Sequence, residues 1–183
     1  MNNLLLTNSL TRKKEIFKPI NPKKISLYAC GPTVYDSPHV GNARSLVVFD
    51  VLYRILKTLY GSNVTYVRNI TDVDDKIIEA SHKNKMSIEE ITNKVTNVFH
   101  ENCKSLNCLE PSIEPKATEH IKGMIEMTTS LISKGFAYEN QGHVYFSVNS
   151  FKDYGKLSNK NLDELKAGAR IEISDLKKNP FEI

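Results

Sequence analysis

Apolar and polar positions along the chain follow two periods in turn. Ile25 to Cys30 is a short apolar run bounded by polar and turn residues, which predicts a buried strand. Leu46, Val47, Phe49, Val51, Leu52, Ile55, Leu56 and Leu59 then recur at near-helical spacing, predicting a helix from about Asn42 to Tyr60. Gly61-Ser62-Asn63 breaks that spacing, and Val64-Thr65-Tyr66-Val67 restarts it with strand-forming residues. Strand, helix and strand at this separation predict a right-handed crossover between parallel strands, with a ligand site outside their carboxyl ends.

The flanking segments are read in the same way. Leu4-Leu5-Leu6 and Ile16-Phe17, on either side of the polar stretch Asn8 to Lys14, suggest two short strands or an edge hairpin beside the main sheet. Ser87-Ile88-Glu89-Glu90 is a capping box, and Ile91, Val95, Val98, Phe99, Cys103 and Leu106 continue one apolar stripe. Thr118 reads as a further helix cap, with Ile121, Met124, Ile125, Met127, Leu131 and Ile132 as a buried stripe, the methionines as core filler and Gly135 as the stop. Beyond Gly135, Ala137-Tyr138, a turn at Asn140-Gln141-Gly142 and Val144 to Val148 predict a hairpin.

Composition narrows the class without naming a function. With 183 residues and 40% hydrophobic content, the chain can bury a core. A net charge of +4, scattered along the chain, hints at an anionic partner but forms no basic patch. Three cysteines without regular spacing do not make a disulfide framework and suit a reducing compartment, so the expected location is cytoplasmic. No targeting signal is visible, no segment approaches membrane-spanning length, and no membrane partner is expected.

The stretch with the densest chemistry is Tyr28-Ala29-Cys30-Gly31-Pro32-Thr33-Val34-Tyr35-Asp36-Ser37-Pro38-His39-Val40-Gly41-Asn42. It leaves the first buried strand and opens the long helix, where free N–H groups and the positive end of the dipole favour a phosphate. Gly41 removes a side chain where a ligand comes close, and His39 and Asn42 project from one face of the first turn, both able to donate to phosphate oxygens. Taken alone, His39 reads as a helix cap or a surface residue, and Cys30 as a small buried hydrophobe. Asp72, Asp74 and Asp75 read as a solvated helix start and do not fit a calcium loop, because Lys76 and Ile77 stand where that loop needs Asp or Asn and then Gly.

The whole stretch resembles the nucleotide-binding signature of class I aminoacyl-tRNA synthetases, and Cys30-Gly31-Pro32-Thr33-Val34-Tyr35-Asp36 is similar to the cysteinyl-tRNA synthetases in particular. Tyr66-Val67-Arg68-Asn69-Ile70-Thr71-Asp72-Val73-Asp74-Asp75-Lys76-Ile77 and Glu114-Pro115-Lys116-Ala117-Thr118-Glu119-His120-Ile121 resemble two further blocks of that family. Lys85-Met86-Ser87 is no second ATP loop, since Ile88-Glu89 follows where Lys-Ser is required. The resemblance implies an α/β fold: residues 1–134 as the N-terminal half of a Rossmann-like doubly wound parallel sheet, and 135–183 as the start of an inserted α+β connective domain.

It also implies ATP-dependent activation of cysteine and its transfer to tRNA(Cys), by a monomer. His39 and Asn42 would be catalytic. Tyr35, Asp36, His39, Gly41 and Asn42 would line the site of ATP with its Mg. Gly31 and Thr71 would hold the amino acid, and Cys30 would be one ligand of a zinc ion whose remaining ligands lie beyond residue 183. Zinc binds a thiolate far better than a neutral hydroxyl, which would select cysteine over serine. Cys103 and Cys108, near His100, form a rival metal cluster that the stripe position of Cys103 disfavours. Two rival functions stand beside this one: an inactive fragment acting as a binding or regulatory module, and a paralogous ligase joining cysteine to an amino sugar.

Overall fold

The computed structural model describes residues 4–159, 176–178 and 182. These form, in order, β1 (Leu5–Asn8), β2 (Lys13–Ile16), β3 (Ile25–Ala29), α1 (Val40–Tyr60), β4 (Val64–Arg68), α2 (Asp75–Asn84), α3 (Ile88–Ser105), α4 (Ile121–Ser133), β5 (Ala137–Asn140) and β6 (His143–Phe146). They fall into two compact units, residues 19–121 and residues 1–18 with 122–183.

In the first unit β3 pairs in parallel with β4, Ile25 opposite Val64 and Ala29 opposite Arg68, as the crossover pattern predicts. The pairing continues beyond both strands: the Val34 N–H donates to the Thr71 carbonyl at 3.1 Å and the Thr71 N–H to the Pro32 carbonyl at 3.0 Å. On the outer side of β4, the Arg68 N–H donates to Ile113 at 3.1 Å and the Ile70 N–H to Pro115 at 2.9 Å. Backbone hydrogen bonds therefore lay the three sequence blocks side by side at the carboxyl end of the strand pair.

The core behind them is Val34, Ile70, Ile77, Ile91, Val95, Phe99 and Cys103, with Leu46, Ala80, Met86 and Cys108 packed against it. Full burial of one such side chain stabilises by about 1.5–3 kcal/mol. Ser87 and Glu90 close the capping box reciprocally at the start of α3. The predicted α3 stripe holds through Cys103, but Leu106 is exposed, because the helix ends at Ser105 and Leu106 caps it. In α1 only Tyr53 and Leu56 among the apolar residues are buried, while Val47, Val51, Ile55 and Leu59 are exposed. That helix carries apolar residues on two faces, and the strand pair takes one.

In the second unit β1 and β2 form a self-contained antiparallel hairpin, held at its turn by Asn8 and Thr11 on Glu15. β5 and β6 form the predicted hairpin around Gln141 and Gly142, whose φ angles of 52° and 81° suit a two-residue primed turn. Beside it Phe136 meets Phe151 edge to face, and Phe146 packs at a tilt against Phe151 and Tyr154. The expectation for α4 is corrected: no residue of that helix is buried, and Met124, Ile125 and Met127 are exposed rather than core filler. Periodicity reports an apolar face, not what covers it. Thr118 is not the cap of α4 either, since a tight turn over Ala117–His120 precedes the helix.

Candidate active site

The loop after β3 delivers its residues to the first turn of α1, and that turn is closed by its own side chains. His39 is the N-cap: its Nδ1 accepts the Gly41 N–H at 3.0 Å, while Asn42 Oδ1 accepts the His39 N–H at 3.0 Å. This network sets the chemistry of both groups. A neutral imidazole that accepts through Nδ1 carries its proton on Nε2, and a carboxamide that accepts through Oδ1 keeps Nδ2 as a donor. Capping and phosphate donation, which stand as alternatives in the sequence, are compatible here. A Cβ on Gly41 would lie 2.8 Å from the His39 ring, so the glycine makes room for the capping imidazole. The first turn of α1 holds no acidic residue to neutralise its dipole.

Tyr35, Asp36, His39 and Asn42 line one hollow of about 260 Å³ together with Gly31 and Thr33. Gly41 contributes its N–H to the cap and no surface to the hollow. A second, smaller hollow of about 70 Å³ is lined by Cys30, Gly31, Asn42, Arg68 and Phe99, so Gly31 and Asn42 border both. Thr71 lines neither, and is joined to Gly31 through Asn69.

Three residues of the site escape a motif-based reading. Arg68 is 3% exposed and donates through Nε and Nη2 to Glu114 Oε1 at 3.0 and 2.6 Å. Its guanidinium lies 4.8 Å from the Phe99 ring centroid. Burial disfavours its charge, but Glu114 more than restores it, and the net shift is upward. Glu114 also meets His100 Nε2 at 2.6 Å. Asn69 is the third. The available signal was an arginine interrupting an apolar strand and a glutamate opening the next block.

The acidic cluster divides. Asp74 caps α2 by accepting the Lys76 N–H at 2.9 Å, and Asp75 lies in its first turn, as a helix start requires. Asp72 departs from that reading: it is buried and accepts the Thr118 hydroxyl at 2.6 Å and N–H at 3.0 Å. Burial works to raise its pKa, but the Thr118 bonds prevail and hold it below the usual carboxylate value.

Cys30 is exposed at the end of β3. No group of three metal-ligating side chains occurs among the described residues, so one thiol does not by itself fit a zinc site. Burial pushes the Cys103 and Cys108 thiols upward in pKa, away from the thiolate a metal needs.

Residues 16–183 match the family described as "tRNA synthetases class I (C) catalytic domain". The chain belongs to that family. Similar proteins include the cysteine–tRNA ligases of Pelagibacter ubique, 56% identical over 176 residues, and of Wolbachia pipientis from Culex pipiens, 55% identical over 175. That of Rickettsia felis is 55% identical over 176 residues. Each alignment covers 96% of this chain but only 39%, 38% and 38% of the respective relative. The chain therefore spans under two-fifths of the length of these synthetases, with mixed α and β content. No helix among the described residues is long and apolar enough to cross a membrane.

Proposed function

We propose that this chain is the N-terminal part of a cysteine–tRNA ligase. The observation that carries the reading is the first turn of α1, where the capping network leaves His39 Nε2–H and the Asn42 Nδ2 amide as donors at the larger hollow, which shares Gly31 and Asn42 with the smaller hollow lined by Cys30. Relatives more than half identical and named for this activity support it. In the reaction, a carboxylate oxygen of cysteine attacks the α-phosphorus of ATP. The bond from that phosphorus to the bridging oxygen breaks, pyrophosphate leaves, and cysteinyl-adenylate forms. A terminal tRNA(Cys) hydroxyl then takes the cysteinyl group, releasing AMP.

His39 and Asn42 stabilise charge on the phosphates, and no covalent enzyme intermediate is needed. Tyr35 and Asp36 line the site for ATP and its Mg, and Gly41 serves it through the cap that holds His39. Gly31 and Thr71 hold the amino acid. Cys30 would offer one thiolate to a zinc ion, with the other ligands supplied from outside these residues. Residues 1–134 belong to a doubly wound sheet and 135–183 to its connective insertion, in a cytoplasmic monomer.

Cysteine-dependent exchange of pyrophosphate into ATP, measured on protein of the relatives' length carrying this sequence, tests the reading. His39→Ala should lower kcat about 100-fold with a smaller change in KM for ATP, because a donor to developing charge is lost. Unchanged exchange removes His39 from the site. Exchange without transfer to tRNA(Cys) favours the amino-sugar ligase.

A further inference from the structure

A single carboxamide ties together the two residues assigned to the amino acid. Asn69 Oδ1 accepts the Gly31 N–H at 3.0 Å and the Tyr28 hydroxyl at 2.9 Å, while Nδ2 donates to Thr71 Oγ1 at 3.0 Å. The Gly31 N–H can only donate, so a flipped amide would set N–H against N–H, and one orientation alone is compatible with the contacts. The nitrogen then faces Thr71. A hydroxyl oxygen that accepts at that point turns its own hydrogen elsewhere. The backbone fixes the same pair a second time: a Cβ on Gly31 would stand 1.5 Å from the Asn69 carbonyl oxygen, so loop and strand end touch directly.

We propose that Asn69 is a positioning residue for amino-acid recognition: it anchors Gly31 and turns the Thr71 hydroxyl hydrogen toward an acceptor group of the substrate amino acid. The inference rests on the assignment of Gly31 and Thr71 to the cysteine side. It assigns Asn69 no contact with substrate.

Asn69→Asp is the discriminating variant. It is nearly isosteric and keeps an acceptor for Gly31 and Tyr28, but it replaces the donor facing Thr71 with a second acceptor, which draws the hydroxyl hydrogen away. In cysteine-dependent ATP–pyrophosphate exchange by protein of the relatives' length, KM for cysteine should rise about ten-fold, the scale of one hydrogen bond, while KM for ATP stays put. Thr71→Val should match it, and the double variant should be no worse than either single one, because both remove the same interaction. Additive losses overturn the proposal, as does an Asp variant that unfolds or raises both KM values together, which would make Asn69 a structural residue. Thr71→Val with unchanged KM for cysteine overturns the route through Thr71 while cysteine activation stands. A parent protein without cysteine-dependent exchange overturns the functional reading, and the proposal with it.

Discussion

At the scale of single residues, glycine illustrates how far local chemistry reaches. Gly41 looks from sequence like the place where a ligand nears the backbone; in the fold it also makes room for the His39 ring, which a Cβ would meet at 2.8 Å. Gly31 is the position where backbone meets backbone: a Cβ there would stand 1.5 Å from the Asn69 carbonyl oxygen. A carbonyl in a paired segment cannot swing aside as a ring can. Gly31→Ala is therefore expected to lower stability by about 2–3 kcal/mol, in the range of an overpacked core, and Gly41→Ala by less. Urea unfolding of both variants checks the ranking; equal losses would sink it. The partner of Gly31 lies 38 residues along the chain in Asn69, so no local pattern announces the requirement.

At the scale of elements, backbone pairing holds the three blocks together, and the Asp72–Thr118 bonds cross-link the second to the third. Asp72 has a folded-state pKa below its ordinary value, despite burial. Its contribution is thus fully present above the unfolded value of about 4 and is lost as pH falls through the lower folded value. Thr118→Val should cost about 1.5–3 kcal/mol at pH 7, the scale of a hydrogen bond to a charged group. The gap between parent and variant should close as pH drops below about 4. Denaturant midpoints at pH 7 and pH 3 read this out, and a gap that persists at the lower pH would show that Asp72 is not its source. Asp74 and Asp75 were legible as a helix start because that signal is local; the burial of Asp72 was not, because its partner arrives from another element 46 residues away.

At the scale of the whole molecule, α1 and α4 carry apolar residues that the described residues leave exposed: Val47, Val51, Ile55 and Leu59 on one, Met124, Ile125 and Met127 on the other. Helical spacing made these residues look like core, because periodicity marks a face whether or not a neighbour fills it. Zinc poses the same question of completeness. One exposed thiol leaves the ion largely hydrated, so the 183-residue chain is expected to bind zinc weakly, and protein of the relatives' length tightly. In the longer protein Cys30→Ser should lose both the metal and the discrimination of cysteine from serine. Metal analysis of chain, longer protein and variant decides this. Tight, stoichiometric zinc in the 183-residue chain would overturn the shared-ligand model, and full zinc with unaltered selectivity in the variant would make Cys30 an ordinary residue.

What the sequence determined by itself is what depends on neighbours along the chain. The parallel strand pair, the capping box at Ser87, the end of α1 at Gly61 and the β5–β6 turn follow from spacing, caps and turn residues, and the three family blocks from their resemblance in sequence. Tertiary structure alone decided which apolar faces are filled and which of three neighbouring aspartates is buried. It also decided that His39 caps the helix while keeping Nε2–H as a donor, and that Asn69 joins Gly31 to Thr71. The physical reason is the same in each case. A hydrogen bond or a van der Waals contact acts over about 3–4 Å of space, whatever the separation in sequence.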